Sequence, residues 1–388
     1  RSWLDECLDQ HEECPKNLSS ILPTRVLDLG LSNAGSDRTV KLHNSCGGQG
    51  SYVALSYCWG GPQFMTVKAN VVESYEGLPI HRLAKSIQDA IFVTRQLGIR
   101  YLWVDALCII QDCLEDKYRE IGKMSSIYKN ATLTISVARS KTCHDGFLHD
   151  NEELKTWLRR AYRLQCRLPE DLGNIYLAER SKLKSKKEPI DLRTWTLQES
   201  WLSPRLLIYS SSHLLWRCLS ATAGDGTCTP CSPTLTRSDS EFEEGHLFHT
   251  NFHLQWNDLV HEATSRNLSV DSDKLPALSG IATELASRND DVYLAGLWKS
   301  NLISGLLWCQ GSRWCMSSSS IPASKPAVSR APTWSWVSVN GSVDLNNAAT
   351  RHATQSCVHT CEISLASAET PFGEVKGGVL DITAPIKR

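Results

Sequence analysis

The chain has 388 residues and a formal net charge of −1, with 41 Lys and Arg set against 42 Asp and Glu. That length buries a sizeable core and suits two domains, and the balanced charge excludes the bulk basic field that nucleic-acid binding draws on. No apolar run reaches the roughly 20 residues of a spanning helix, and no leader segment is visible, so neither nucleic acid nor membrane is expected as a partner and a cytoplasmic location is expected. The 15 cysteines are odd in number, and several, such as Cys58, Cys108, Cys166 and Cys218, fall inside apolar stretches. Reduced, buried thiols fit that distribution better than a disulfide framework.

Residues 1–50 predict an N-terminal helix and short strands. Cys7, His11 and Cys14 recur at i, i+4 and i+7, so one helix face could present all three before Pro15 stops it. A zinc site there lacks a fourth ligand, and no second pair follows at finger spacing. Zinc is therefore not expected, and the face reads as one packed on the domain. Thr24–Asp28 and Thr39–His43 follow as short strands around a Gly, Ser and Asn-rich turn.

Residues 51–220 predict an α/β domain. Tyr52–Ser56 is its first strong core strand and runs into Tyr57-Cys58-Trp59-Gly60-Gly61. The glycine pair permits close approach of a ligand to the backbone, and equally makes a plain tight turn. Neither GxGxxG nor a P-loop lysine is present. Leu83, Ile87, Ala90, Ile91 and Leu97 form the apolar stripe of a helix over 83–97, with Gly98 at its end. Tyr101–Val104 is then a short buried strand, which makes a βαβ unit with a right-handed crossover. Asp105 sits at that strand's carboxyl end, where ligands bind in open α/β sheets. A polar loop with Cys108, Gln111 and Asp112 is expected after it. Glu115–Tyr128 reads as a helix and Thr132–Val137 as a half-buried, alternating strand. The fold class predicted is α/β, a small parallel sheet flanked by helices, followed by a mixed α+β C-terminal region.

Residues 139–192 carry little signal, and Lys182–Lys187 reads as a solvated loop. A helix over Arg193–Ser203 and a hairpin of Arg205–Tyr209 with Leu214–Cys218 close the domain. Residues 221–245, rich in Gly, Ser, Thr, Pro and acids, read as a linker or mobile loop, and the Cys228/Cys231 pair in them as chance. Residues 246–388 predict helices over Phe252–Ala263 and Leu275–Ser287, the latter capped from Asp271, Ser272 and Asp273. They also predict strands over Tyr293–Trp298 and Leu302–Cys309, alternation around Trp334 and Trp336, and a turn at Asn340-Gly341.

For chemistry, no GxSxG elbow and no HExxH occur. What remains is acids and arginines at element ends: Asp105, Asp112, Glu120, Arg193 and Glu199. Each reads either as a functional group or as an ion pair or cap.

Four blocks in order, YVALSYCWGG (52–61), LGIRYLWVDALCIIQD (97–112), MSSIYKNATLTISVA (124–138) and RTWTLQESWLSPRLLIY (193–209), resemble the fungal heterokaryon-incompatibility (HET) domain. Segments at 271–282, 293–298 and 331–341 resemble the region that often follows it. HET domains in turn distantly resemble Toll/interleukin-receptor (TIR) domains, some of which cleave NAD at the nicotinamide–ribose bond with a helix glutamate. Matched by motif, that glutamate is Glu120. The family usually has Asp-Trp shortly before it, where this chain has Asp116-Lys117. The resemblance implies an allorecognition or cell-death effector with Glu120 as its catalytic candidate, and Asp105 and Glu199 join it as catalytic candidates from their places at element ends. The binding candidates are Ser56, Tyr57, Trp59, Gly60, Cys108, Gln111, Asp112, Arg193 and Trp195. The resemblance implies NAD as a small-molecule substrate and no required cofactor; self-association is a separate expectation, tied to the oligomerising reading below. Two further readings stand beside it: a cofactor-independent cyclase, dehydratase or isomerase of a fungal small-molecule pathway using acid/base carboxylates, and a non-catalytic oligomerising module with its tryptophans at an interface.

Overall fold

A computed structural model of the chain describes residues 1–30, 38–149, 162–167, 172–177, 187–211, 213–224, 251–311, 324–326, 328–345 and 356–385. The Cys228/Cys231 pair, most of the 221–245 stretch and Lys182–Lys186 lie outside them. The chain divides into two compact units. The first comprises Arg1–Tyr118, Asn130–Asp191 and Ser203–Arg237, the second Arg119–Lys129, Leu192–Leu202 and Ser238–Arg388. Helix Leu114–Asn130 contributes residues to both.

The first unit is built on one mixed sheet of nine strands: β1 (Arg25–Asp28), β2 (Thr39–Asn44), β3 (Tyr52–Ser56), β4 (Leu78–Pro79), β5 (Tyr101–Trp103), β6 (Leu133–Ser136), β7 (Arg205–Tyr209), β8 (Leu214–Cys218) and β9 (Thr222–Gly224). Their spatial order is β9-β8-β7-β6-β3-β5-β1-β2-β4. The centre, β7-β6-β3-β5, is parallel, and both flanks are antiparallel. The sheet is thus larger than the small parallel one predicted, because strands from both ends of the unit add to the βαβ centre. All of β3 and all of β6 are buried. The half-buried expectation for Thr132–Val137 therefore fails: Thr134 and Ser136 are buried as well as Leu133 and Ile135, as expected of parallel strands covered on both faces. Helix Lys85–Gln96 buries Ile87, Ala90, Ile91 and Val93 and turns Phe92 outward.

Two local expectations in this unit are corrected. The N-terminal helix spans Ser2–Gln10 only. Lys16 Nζ takes the carbonyls of Cys7 and Leu8 at 3.4 and 2.7 Å, capping the helix there. His11 and Cys14 follow on a turn and not on a helix face. The polar loop after Asp105 begins as a short helix, Asp105–Cys108, closed by Ile109 N–H to the Asp105 carbonyl.

The second unit holds helices Phe252–Thr264 and Pro276–Arg288 and a long hairpin of Cys357–Leu365 with Val375–Thr383. The single strand predicted over Tyr293–Trp298 is a tight hairpin instead. Tyr293–Leu294 pairs with Leu297–Trp298 across Ala295-Gly296, both at positive φ, the type I′ arrangement. Trp256 and Trp336 each donate an indole N–H to the Gly296 carbonyl, at 2.9 and 2.8 Å. Leu302–Cys309 begins as the helical turn Leu302–Gly305, which puts its two buried ends on one side. Trp336–Ser338 is a 3-10 turn capped by the Ser335 hydroxyl. Asp271–Lys274 is itself a 3-10 turn, so the expected caps do not cap: the helix starts at Pro276, and Asp273 receives the Trp195 indole N–H at 3.1 Å.

Lys274 is only 5% exposed. Its ammonium donates to the Val339 carbonyl at 2.6 Å and lies 5.2 Å from the centre of the Trp336 ring. Burial, aided by the Arg330 guanidinium and opposed by Asp271, pulls it from 10.5 down to about 7. Between those values the unfolded chain binds the proton and the folded chain releases it. Stability from this group therefore rises with pH across that window, by up to ~1.4 kcal/mol per pH unit. Urea midpoints of wild type should climb relative to those of Lys274→Met as pH goes from 7 towards 9. Parallel curves would exclude the linkage.

Candidate functional site

The parallel centre of the sheet brings three sequence candidates to one edge. Register pairs Ala54 with Trp103 and Ser56 with Ser136, so β3, β5 and β6 finish together. Tyr57 and Trp59 leave β3 there, and Asp105 leaves β5. Trp59 Nε1 donates to Asp105 Oδ2 at 2.8 Å, and the Ala106 N–H donates to Oδ1 at 2.6 Å. Gln111 Nε2 donates to the Asp105 and Ile109 carbonyls at 3.0 and 3.2 Å, holding the short helix closed. The Tyr57 hydroxyl pairs with the Gln63 amide. Burial, and then the charge of Asp105, push that phenol well above its ordinary value, so it stays a neutral group. Ser56 is buried.

Gly60 earns its place by conformation and by space. Its φ is +60°, and a Cβ there would stand 2.4 Å from the Lys141 carbonyl oxygen and 2.6 Å from Thr142 Cα. The Cys143 N–H also donates to the Trp59 carbonyl at 2.9 Å. The glycine thus lets the 57–61 turn lie against the 141–143 backbone. Gly60→Ala is expected to cost about 2–4 kcal/mol, from left-handed strain plus overpacking against backbone. A thermal midpoint unchanged from wild type would overturn this. Gly61 has nothing within 4 Å of the equivalent position, so the same substitution there is the control.

Two polar-loop candidates turn to the framework. Asp112 Oδ1 accepts the Lys68 N–H at 2.8 Å, and Cys108 Sγ accepts the Val104 N–H at 3.5 Å. A residue that sequence reasoning missed holds this loop from behind. Arg25, 5% exposed within β1, donates to the Cys108 carbonyl at 2.7 Å and to Asp116 Oδ2 at 2.5 Å. Asp116 Oδ2 also accepts the Ile110 N–H at 2.9 Å. An arginine opening a strand next to Val26 and Leu27 was the available signal, since a charge buried with them needs an acid.

The remaining candidates belong to the second unit. Glu120 is 1% exposed. Its Oε1 meets Arg119 Nε at 3.2 Å and Lys123 Nζ at 3.5 Å. Its Oε2 is buried with no hydrogen-bond partner among the described residues. Glu199 is also buried. On the same helix, Gln198 Oε1 accepts the Gly280 N–H at 2.7 Å. Trp195 is turned to Asp273 through its indole N–H. The Arg193 backbone forms a bridge with Asn267, and its carbonyl accepts from Thr196 Oγ1 at 2.7 Å.

Residues 52–199 match the family model described as heterokaryon incompatibility protein (HET). This stretch is a HET domain. Its matched span begins with β3 and ends at Glu199, so it contains Trp59, Asp105 and Glu120 alike. Comparison of the chain with curated proteins and with solved structures found no match. Within the HET domain the acids differ in a way that bears on chemistry. Asp105 has hydrogen-bond donors at both oxygens, whereas Glu120 has one oxygen without a donor among the described residues. No helix among the described residues is long and apolar enough to cross a membrane.

Proposed function

We propose that this HET domain acts as an allorecognition or cell-death effector by hydrolysing NAD at the nicotinamide–ribose bond, with Glu120 as the catalytic carboxylate. The observation that carries this reading is the buried, unpartnered Oε2 of Glu120. Leaving a buried carboxylate oxygen without a donor costs folding free energy, and a catalytic role is one of the reasons such a group is kept. In the reaction the glycosidic bond breaks with its electron pair leaving on nicotinamide, which departs as a neutral base. Water adds to the ribose carbon and loses a proton, giving ADP-ribose. No general acid is needed for that leaving group. A carboxylate is needed to offset the positive charge that builds on the ribose ring or to orient its hydroxyls. Arg119 and Lys123 both approach Oε1, at 3.2 and 3.5 Å, and neither pairs with Oε2.

The test is direct. Purified protein incubated with NAD should release nicotinamide, and Glu120→Gln should not. Absence of release by wild type at high protein concentration, and after induced assembly, removes the hydrolase reading. The HET assignment does not depend on it.

A further inference from the structure

The fold gathers four metal-ligand side chains that the chemistry above does not use. Cys7, His11, Cys14 and Cys218 each place one ligand atom within 4.8 Å of all the others. One pair, His11 Nδ1 and Cys218 Sγ, is 3.2 Å apart. A tetrahedral zinc with three sulfurs and one nitrogen sets such separations at roughly 3.5–3.8 Å, from bonds of about 2.3 and 2.0–2.1 Å. Cys7, Cys14 and Cys218 are all buried, at 0%, 2% and 3% exposure, and His11 is half-buried. The expectation against zinc rested on the want of a fourth ligand. The fold supplies one from the end of β8, more than two hundred residues along the chain.

A second observation is independent of the ligand count. Arg205 is 1% exposed. Its guanidinium donates to Cys7 Sγ at 3.2 Å, to the Thr132 carbonyl at 3.2 Å and to the Pro15 carbonyl. Among the described residues no carboxylate pairs with it. A buried cation needs a nearby anion. One Zn²⁺ held by three thiolates and a neutral imidazole carries a net charge of −1, which Arg205 balances. Its hydrogen bond to a ligand sulfur is also the usual outer contact of a zinc thiolate site. Ser220 Oγ, 3.6 Å from Cys14 Sγ, and the Ala221 carbonyl, 3.5 Å from Cys218 Sγ, complete the surroundings.

We propose that Cys7, His11, Cys14 and Cys218 bind one zinc ion in a closed Cys3His site that fastens the N-terminal segment to the end of β8. The ion fills all four positions with protein ligands, so the site is structural and not catalytic. Binding releases the three thiol protons and closes a very long loop.

The experiment uses the full chain, expressed with zinc supplied and purified without chelator, with metal measured by mass spectrometry. One zinc ion per chain is expected. The double variant Cys14→Ser/Cys218→Ser should carry none and should melt earlier, whereas Cys228→Ser/Cys231→Ser should keep the full equivalent. Cobalt(II) added to zinc-stripped wild type should give the visible bands of a tetrahedral site with thiolate-to-metal charge transfer. His11→Cys should retain metal and strengthen the charge-transfer band, which keeps the test readable if the serine variant fails to fold. Wild type without zinc, or zinc that leaves only with Cys228 and Cys231, overturns the proposal. None of these readouts depends on NAD.

Discussion

Glu120→Gln is expected to lower nicotinamide release from NAD by about 100-fold or more, the usual loss when a preorganised charge facing the transition state is removed. The substitution keeps shape and removes charge. Because the lost interaction grows with the developing ribose charge, kcat should fall while KM changes little. Stability should move the other way or not at all. The pairs with Arg119 and Lys123 involve cations that are nearly half exposed, at 47% and 46% of their side-chain surface. Such pairs are worth only about 0.2–1 kcal/mol each. Against that loss stands relief of a buried charge with one undonated oxygen. A glutamine variant that is inactive, folded and at least as stable as wild type is the signature of a group held for function. A variant inactive because its melting transition has collapsed would instead make Glu120 a framework residue.

Breaking the Arg25–Asp116 pair is expected to destabilise the first unit by about 3–5 kcal/mol, because either single substitution strands a buried charge. The pair is not a surface decoration: the two side chains are 6% and 4% exposed. It also secures two backbone groups, the Cys108 carbonyl and the Ile110 N–H, where the Asp105 turn ends. Arg25→Met and Asp116→Leu should each show the loss in urea-unfolding midpoints. The double substitution should recover much of it, since no buried charge is left over. Additive losses would show that the two residues act separately. Because Arg25 braces the turn that carries Asp105, the single variants should also loosen the Trp59–Asp105 contact, readable as a change in tryptophan fluorescence.

Much of the centre of the fold was legible from local pattern. The stripe from Leu83 to Leu97 and the apolar runs at Tyr52 and Tyr101 specify a βαβ unit, because burial on both faces of a parallel strand demands them. The place of Asp105 followed from the strand before it. What local pattern does not encode is pairing over distance. β1 joins β5, and β7 joins β6, through register that only the assembled sheet defines. The same limit hid the partner of Arg25, 91 residues away, and kept Cys218 apart from Cys7 and Cys14. At Ala295-Gly296 the miss was local. Gly296 marked a turn, but Ala295 at positive φ gives no sequence signal, and it is Trp336 packed on the glycine that holds the turn there.

The late arrival of β7 has a consequence for how the protein is made. In the finished sheet β6 lies between β3 and β7. On the ribosome, Leu133–Ser136 is displayed long before Arg205–Tyr209 has been synthesised. At roughly 5–20 residues per second, several seconds pass with an apolar, unpaired edge on view. That interval is when the nascent chain is most exposed to aggregation and most in need of a holdase.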